Sequence, residues 1–309
     1  MNGLEVIKLL VLSLLSVFLY SIYVKGFKKL SQTERTLGLD SHKKKNGTIT
    51  MGGIIFLVLP LFFIPFSKTT MMILFAALGF GILGAIDDLL IVILKKNDGL
   101  PAWFKILVEI AIASIIFFFY LKENNSTTLE LFSFKLDIKW FFGLIILWLM
   151  LASSNAWNLM DGVDGLCAGC SLVFGIGLML IAFKEQKYDI FYMLIAFHIT
   201  LFVFWCFNLP KAFLFMGDVG ALGLGAFYAI TSIYLNSLVA FILMAGLFIF
   251  ETLSVILQVF YFKKTKGKRL FKMAPFHHHL EACGLKELQI DLIFYIIQIV
   301  LVILAICLL

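Results

Sequence analysis

Of 309 residues, 62% are hydrophobic and only 14% are charged, with a formal net charge of +6 and a mean hydropathy of +1.03. A soluble domain is about half apolar and a quarter charged, so this balance excludes a water-soluble globular protein, and no nucleic-acid partner is expected. Apolar runs of roughly 18 or more residues recur along the chain, which fits spanning helices and excludes the short alternating strands of a membrane β-barrel.

In chain order the runs predict ten spans: 4–24, 49–66, 70–94, 104–121, 139–154, 166–183, 189–207, 219–236, 238–260 and 289–309. Together they make an all-α integral membrane protein, read as one polytopic domain over 1–309. The first run is too long for a signal peptide, lacks a small-residue cleavage pattern and is followed by basic residues, so it reads as a retained span. Between the fourth and fifth spans, "TLELFSFKLDI" alternates in character and suggests a small hairpin. Taken alternately, one set of connections with its rims carries 18 Lys and Arg and the other 7. The richer side is assigned to the cytoplasm, and both termini to the outside. Five cysteines lie in or near apolar segments. Cys167 and Cys170 form a CxxC without a second pair, so they read as small packing residues.

Every polar cluster falls on the richer side. The first connection reads "SHKKKNGTITMGG": Lys43, Lys44 and Lys45 precede Gly47, Thr48, Thr50, Gly52 and Gly53. Small residues with free backbone N–H groups at a helix start favour an anion, and a lysine beside them adds a point charge for phosphate. The third span ends with Asp87 and Asp88. Carboxylates at membrane depth require water, a partner or a metal; a lysine ion pair is one solution, and adjacent hard oxygens beside phosphates are the Mg²⁺ pattern. Lys105 stands at the rim of the next span. In "NAWNLMDGVDGL", Asn155, Asn158, Asp161 and Asp164 follow at three-residue intervals, drifting by about 60° per step from one helix face. Gly162 and Gly165 predict that the helix breaks there into a polar hook, tolerated at such depth where it lines a cavity.

Asp218 sits in a Gly-Asp-x-Gly turn with Gly217 and Gly220, where close approach of a ligand competes with simple helix capping. Finally, "KTKGKRLFKMAPFHHHLEACG" carries a basic run that alone would read as an anionic-lipid patch. Consecutive helical residues point about 100° apart, so His277, His278 and His279 cannot all ligate one ion from a helix. Phosphate contact by two of them, in an irregular segment after Pro275, is expected instead. His42 and His198 stand alone and read as structural. Carboxylates, amides, lysines and histidines on one membrane face suit attack on a Mg²⁺-bound diphosphate, with one substrate from the cytoplasm and one from the lipid.

These motifs resemble the polyprenyl-phosphate N-acetylhexosamine-1-phosphate transferase superfamily over nearly the whole chain: "KNGTITMGG", the aspartate pair, "NAWNLMDGVDGL", "FMGDVG" and "MAPFHHH". The last is similar to the phospho-N-acetylmuramoyl-pentapeptide transferases. That resemblance implies transfer of phospho-N-acetylmuramoyl-pentapeptide from UDP-MurNAc-pentapeptide to undecaprenyl phosphate, giving lipid I and UMP, in a ten-helix bacterial cell-membrane homodimer that requires Mg²⁺. It implies a prenyl groove beside a broken ninth helix, here the span with Glu251 and Gln258. By motif position it makes Asp218 the Mg²⁺ ligand, with Asp87 and Asp88 the essential dyad and further candidate ligands. Asp87 would contact or deprotonate the lipid phosphate. Asn158 and Asp161 would line the active site. Gly162, Val163, Asp164 and Phe215 would form the uridine pocket. Lys45, Thr50 and Lys105 match other active-site positions, and Gln258, His277 and His278 the sugar-phosphate end. Asn155, Gly217 and His279 complete the expected substrate-binding set.

This chain departs from the family pattern at Ile49, where proline is usual, at Val219 and Ala221, where hydroxyl residues are usual, and at Ile91, often a lysine. Those changes bear on donor specificity. A sibling that transfers N-acetylglucosamine-1-phosphate to the same lipid is the second reading. A lipid or ion transporter is the third, against which stand the nearly charge-free outer halves of the spans.

Overall fold

The computed structural model describes residues 3–27, 30, 47–94, 99–123, 126–131 and 134–308. Among the described residues twelve α-helices follow one another: α1 (Gly3–Gly26), α2 (Gly53–Val58), α3 (Lys68–Leu94), α4 (Ala102–Lys122), α5 (Phe141–Met160), α6 (Leu166–Lys184), α7 (Tyr188–Asn208), α8 (Gly217–Tyr234), α9 (Leu238–Met244), α10 (Gly246–Lys264), α11 (Phe276–Ala282) and α12 (Glu287–Cys307). Eight of them, α1, α3 to α7, α10 and α12, are long and apolar enough to cross a membrane. The protein is an all-α, multi-pass membrane protein. Residues 128–131 and 134–137 pair antiparallel, Thr128 opposite Asp137 and Leu131 opposite Phe134, forming the expected hairpin between α4 and α5.

Two of the ten predicted spans differ from expectation. The second is helical only from Gly53 to Phe62, tightening to a 3₁₀ turn at Leu59–Phe62 around Pro60. Proline supplies no N–H to the helical ladder and crowds the preceding turn, so this segment falls short of a full crossing. The eighth, α8, is buried at every position from Val219 to Tyr234. It is the axis of the molecule rather than a lipid-facing span, with α3 and α5 as its main neighbours. The ninth span is broken at Ala245, between α9 and α10. Gln298 of α12 donates to the Met244 carbonyl at that break (2.8 Å).

Small residues let α3 and α8 approach closely. With no hydrophobic drive between helices in lipid, such approach and its dispersion contacts hold the bundle. A side chain at Gly84 would run into the Asp218 carbonyl and lie 2.6 Å from the Val219 nitrogen. Gly84→Val is expected to cost about 1–3 kcal/mol through overpacking. It should lower the thermal midpoint of the detergent-solubilised protein, and an unchanged midpoint would refute the contact.

Candidate active site

The aspartates, Lys105 and Asp218 come together, from three helix ends. Asp87 and Asp88 lie near the end of α3, buried. Pro101 precedes α4 and places Lys105 one turn inside it. Lys105 Nζ lies 2.5 Å from Asp87 Oδ2 and 3.4 Å from Asp218 Oδ2. Asp87 Oδ1 also accepts the Leu100 N–H (2.5 Å), which stitches the end of the α3–α4 connection to the carboxylate. The lysine pairing weighed for Asp87 is therefore present, and Asp218 shares the same ammonium. Helix capping, the competing role for Asp218, falls instead to Asp88. Its Oδ2 accepts the Val219 N–H (3.1 Å) in the first turn of α8, where the preceding residue Met216 offers no side-chain cap. A carboxylate there complements the positive end of the helix dipole. Asn158 stands beside the Asp218 carboxylate.

Backbone geometry holds that centre open. Gly217 adopts φ +74°, a conformation that other residues enter with strain. A side chain on it would collide with Asp88 and approach the Thr50 hydroxyl to 3.0 Å. Thr50 Oγ1 is buried with no hydrogen-bond partner among the described residues, and it borders this spot. The 49–52 segment runs parallel to 214–216. Phe215 N–H donates to the Ile49 carbonyl (2.8 Å), and Gly52 N–H donates to the Phe215 carbonyl (2.9 Å). The Phe215 ring is half-buried. Lys45 and His42 lie outside the described residues.

The predicted hook is present. α5 ends at Met160, just before Asp161, and α6 begins after Gly165. Asp164 is buried, and its Oδ2 accepts the Ala212 N–H (3.0 Å), tying the hook to the segment before α8. Val163 is buried and Asp161 half-buried. Asn208 and Tyr295 clamp the hook's last residue: Gly165 N–H donates to Asn208 Oδ1 (3.0 Å), and Tyr295 O–H donates to the Gly165 carbonyl (2.7 Å). Neither residue stood out in the sequence.

The histidines form a helix, α11, not the irregular segment expected. Pro275 supplies an extended residue before it, and Glu251 from α10 accepts the Phe276 N–H (2.6 Å) and the His277 N–H (3.1 Å) at its start. The His277 and His278 rings pack edge to face, 4.2 Å between centres, while His279 points elsewhere. His277 Nδ1 lies 3.4 Å from Glu251, without hydrogen-bond alignment, and both its ring nitrogens are buried. His278 Nδ1 meets Glu281 at 2.6 Å. A side chain at Gly162 would strike the His277 ring and lie 2.9 Å from His278 Nε2, so these two border the hook. His279 turns away and accepts the Lys272 N–H (3.1 Å). Gln258 Oε1 accepts the Leu270 and Phe271 N–H groups (3.1 and 2.8 Å), pinning the same loop.

Sequence reading missed Glu109. It is buried on α4 one turn beyond Lys105, and the Asn155 amide reaches it at 3.5 Å. The signal was available as an acid inside an apolar span, four residues after a lysine. His198 is buried, meeting the Tyr228 hydroxyl (2.9 Å) and the Leu194 carbonyl (2.6 Å), in keeping with a structural role.

Among the described residues, Asp87 and Asp218 share the Lys105 ammonium with Asp88 beside them, which leaves excess negative charge, and their hard oxygens are of the kind that Mg²⁺ takes. Among the described residues no three His, Cys, Asp or Glu groups form a ready-made metal cage. Mg²⁺ is commonly held by one or two carboxylates plus substrate phosphates and water, and the donor set fits that arrangement.

Residues 70–236 match the model of glycosyl transferase family 4. The whole chain is similar to proteins named phospho-N-acetylmuramoyl-pentapeptide-transferase. One from Geobacillus thermodenitrificans is 36% identical, covering 94% of this chain and 93% of the relative. That from Enterococcus faecalis is 39% identical over 87% and 86%, and that from Listeria welshimeri 38% over 90% and 89%.

Proposed function

We infer, because this chain belongs to glycosyl transferase family 4 and within it to the phospho-N-acetylmuramoyl-pentapeptide-transferases, that it transfers phospho-N-acetylmuramoyl-pentapeptide from UDP-MurNAc-pentapeptide to undecaprenyl phosphate. A new phosphoanhydride forms between the acceptor phosphate and the sugar-linked phosphorus. The anhydride to uridine monophosphate breaks, and lipid I and UMP result. The reaction belongs to the cytoplasmic face of a bacterial cell membrane, the side assigned by loop charge, and the protein acts there as a homodimer with both termini outside.

The observation that carries this reading is the meeting of Asp87, Lys105, Asp218 and Asn158 from four helices. Asp87 holds the proton of the acceptor phosphate or contacts that phosphate, and Lys105 keeps Asp87 oriented while shielding negative charge. Asp218, with Asp87 and Asp88, would hold Mg²⁺, which offsets charge on the diphosphate when bound. Thr50 faces the donor's phosphates, and Lys45 is assigned to them by its motif position alone. Asp161 and the hook 162–164 receive uridine, with Phe215 stacking on the base. His277 and His278, presented by Glu251, meet the sugar-phosphate end.

Purified protein incubated with UDP-MurNAc-pentapeptide, undecaprenyl phosphate and Mg²⁺ is expected to release UMP. UDP-N-acetylglucosamine is expected to release none. Turnover of the second donor alone would favour the sibling activity, and silence with both would remove the enzyme reading.

A further inference from the structure

Most of the cations at the end of α10 and just beyond it are used by neither the fold nor the site. Between Glu251 and Glu281 the chain carries no acid but six basic residues: Lys263, Lys264, Lys266, Lys268, Arg269 and Lys272. Both flanking acids are engaged, Glu251 with the start of α11 and Glu281 with His278. Two of the cations serve the loop itself: Arg269 donates to the Lys272 carbonyl and Lys272 to the Ala282 carbonyl. Lys263, Lys264, Lys266 and Lys268 are exposed, and no hydrogen bond or ion pair to the described residues occupies their ammonium groups.

These four are presented by the last turn of α10 and the ordered turn that follows it. Lys266 and Gly267 take φ +54° and +112°. Thr265 N–H returns to the Tyr261 carbonyl, Gly267 N–H to the Phe262 carbonyl (both 2.9 Å), and the Thr265 hydroxyl closes on Tyr261 at 2.7 Å. The turn sits at the end of a helix whose flank is apolar and exposed: Ile256, Leu257, Val259, Phe260 (63%) and Phe262 (45%). Lys264 lies over the Phe260 ring, 5.8 Å from its centre. An apolar wedge capped by uncompensated cations matches the boundary between acyl chains and phosphate headgroups.

We propose that this turn is a binding surface for the headgroups of anionic phospholipids. The cations meet the lipid phosphate while the α10 aromatics seat among the acyl chains. The same turn leads into residues 270–272, which Gln258 and His279 pin beside the histidine helix, so the lipid contact adjoins the candidate site without being part of it.

The test uses the full chain in phosphatidylcholine vesicles containing trace spin-labelled phosphatidylglycerol, with neither donor nor acceptor present, so its outcome is independent of the proposed activity. Wild-type protein should associate with phosphatidylglycerol in preference to labelled phosphatidylcholine. The K263Q/K264Q/K266Q/K268Q variant should lower that association by about fivefold or more, the factor that one interfacial cation supplies. The matching arginine variant should retain it, as should K122Q/K135Q/K139Q, which removes exposed lysines at the far end of α4 and its hairpin. No preference in the wild type, an undiminished preference in the glutamine variant, or an equal loss in the far-end variant would each overturn the proposal.

Discussion

Asp218→Ala is expected to lower UMP release by about a thousandfold or more, the scale on which a single group stabilising transition-state charge acts, with the protein still folded. The carboxylate is half-exposed on the site side, in contact with Lys105 at 3.4 Å and beside Asn158, and it carries no helix-capping bond. Its loss removes charge from the centre without orphaning a backbone donor. Asp87→Asn should act comparably, since it weakens the 2.5 Å pairing that fixes Lys105. Groups that work as a unit are non-additive, so the double variant should be little worse than either single one. Turnover measured beside circular dichroism and elution volume separates chemistry from folding. Near-normal activity in either single variant would move the reactive centre elsewhere.

Glu251→Ala is expected to destabilise the fold and release the histidine helix together. Glu251 is fully buried, and its two oxygens hold the Phe276 and His277 N–H groups. Removing it leaves the buried His277 donor unsatisfied at about 1–3 kcal/mol and frees the half-buried Phe276 donor. The thermal midpoint should fall, and the amides of Phe276 and His277 should exchange much faster with solvent. Glu251→Gln keeps one accepting oxygen and should lie between the two. Unchanged exchange in the alanine variant would show that the helix start is held by something other than this carboxylate.

The long spans were legible because each is an uninterrupted apolar run: α3 was expected over 70–94 and occupies 68–94. The site was legible in outline because polar groups are costly at membrane depth, so each one signals a reason. What escaped notice depended on contacts far apart in the chain. α11 is seven residues long, too short for periodicity to register, and its start is set by a carboxylate 25 residues upstream. Asn208 and Tyr295 clamp Gly165 from 43 and 130 positions away. Pro60 was visible as a residue but was read through as part of a full span, because hydropathy averages over the one position that breaks the ladder.

The complete enclosure of α8 bears on how the chain enters the bilayer. Its first turn carries Asp218, four glycines dilute its first half, and it falls outside the group of eight helices apolar enough to cross on their own. A segment this weakly apolar gains little by partitioning alone into hydrocarbon. Its insertion is favourable only where α3 and α5, synthesised earlier, already offer a protein-lined berth. Asp218 therefore reaches its depth as a passenger of neighbouring helices, and translation order becomes part of how the candidate centre is assembled.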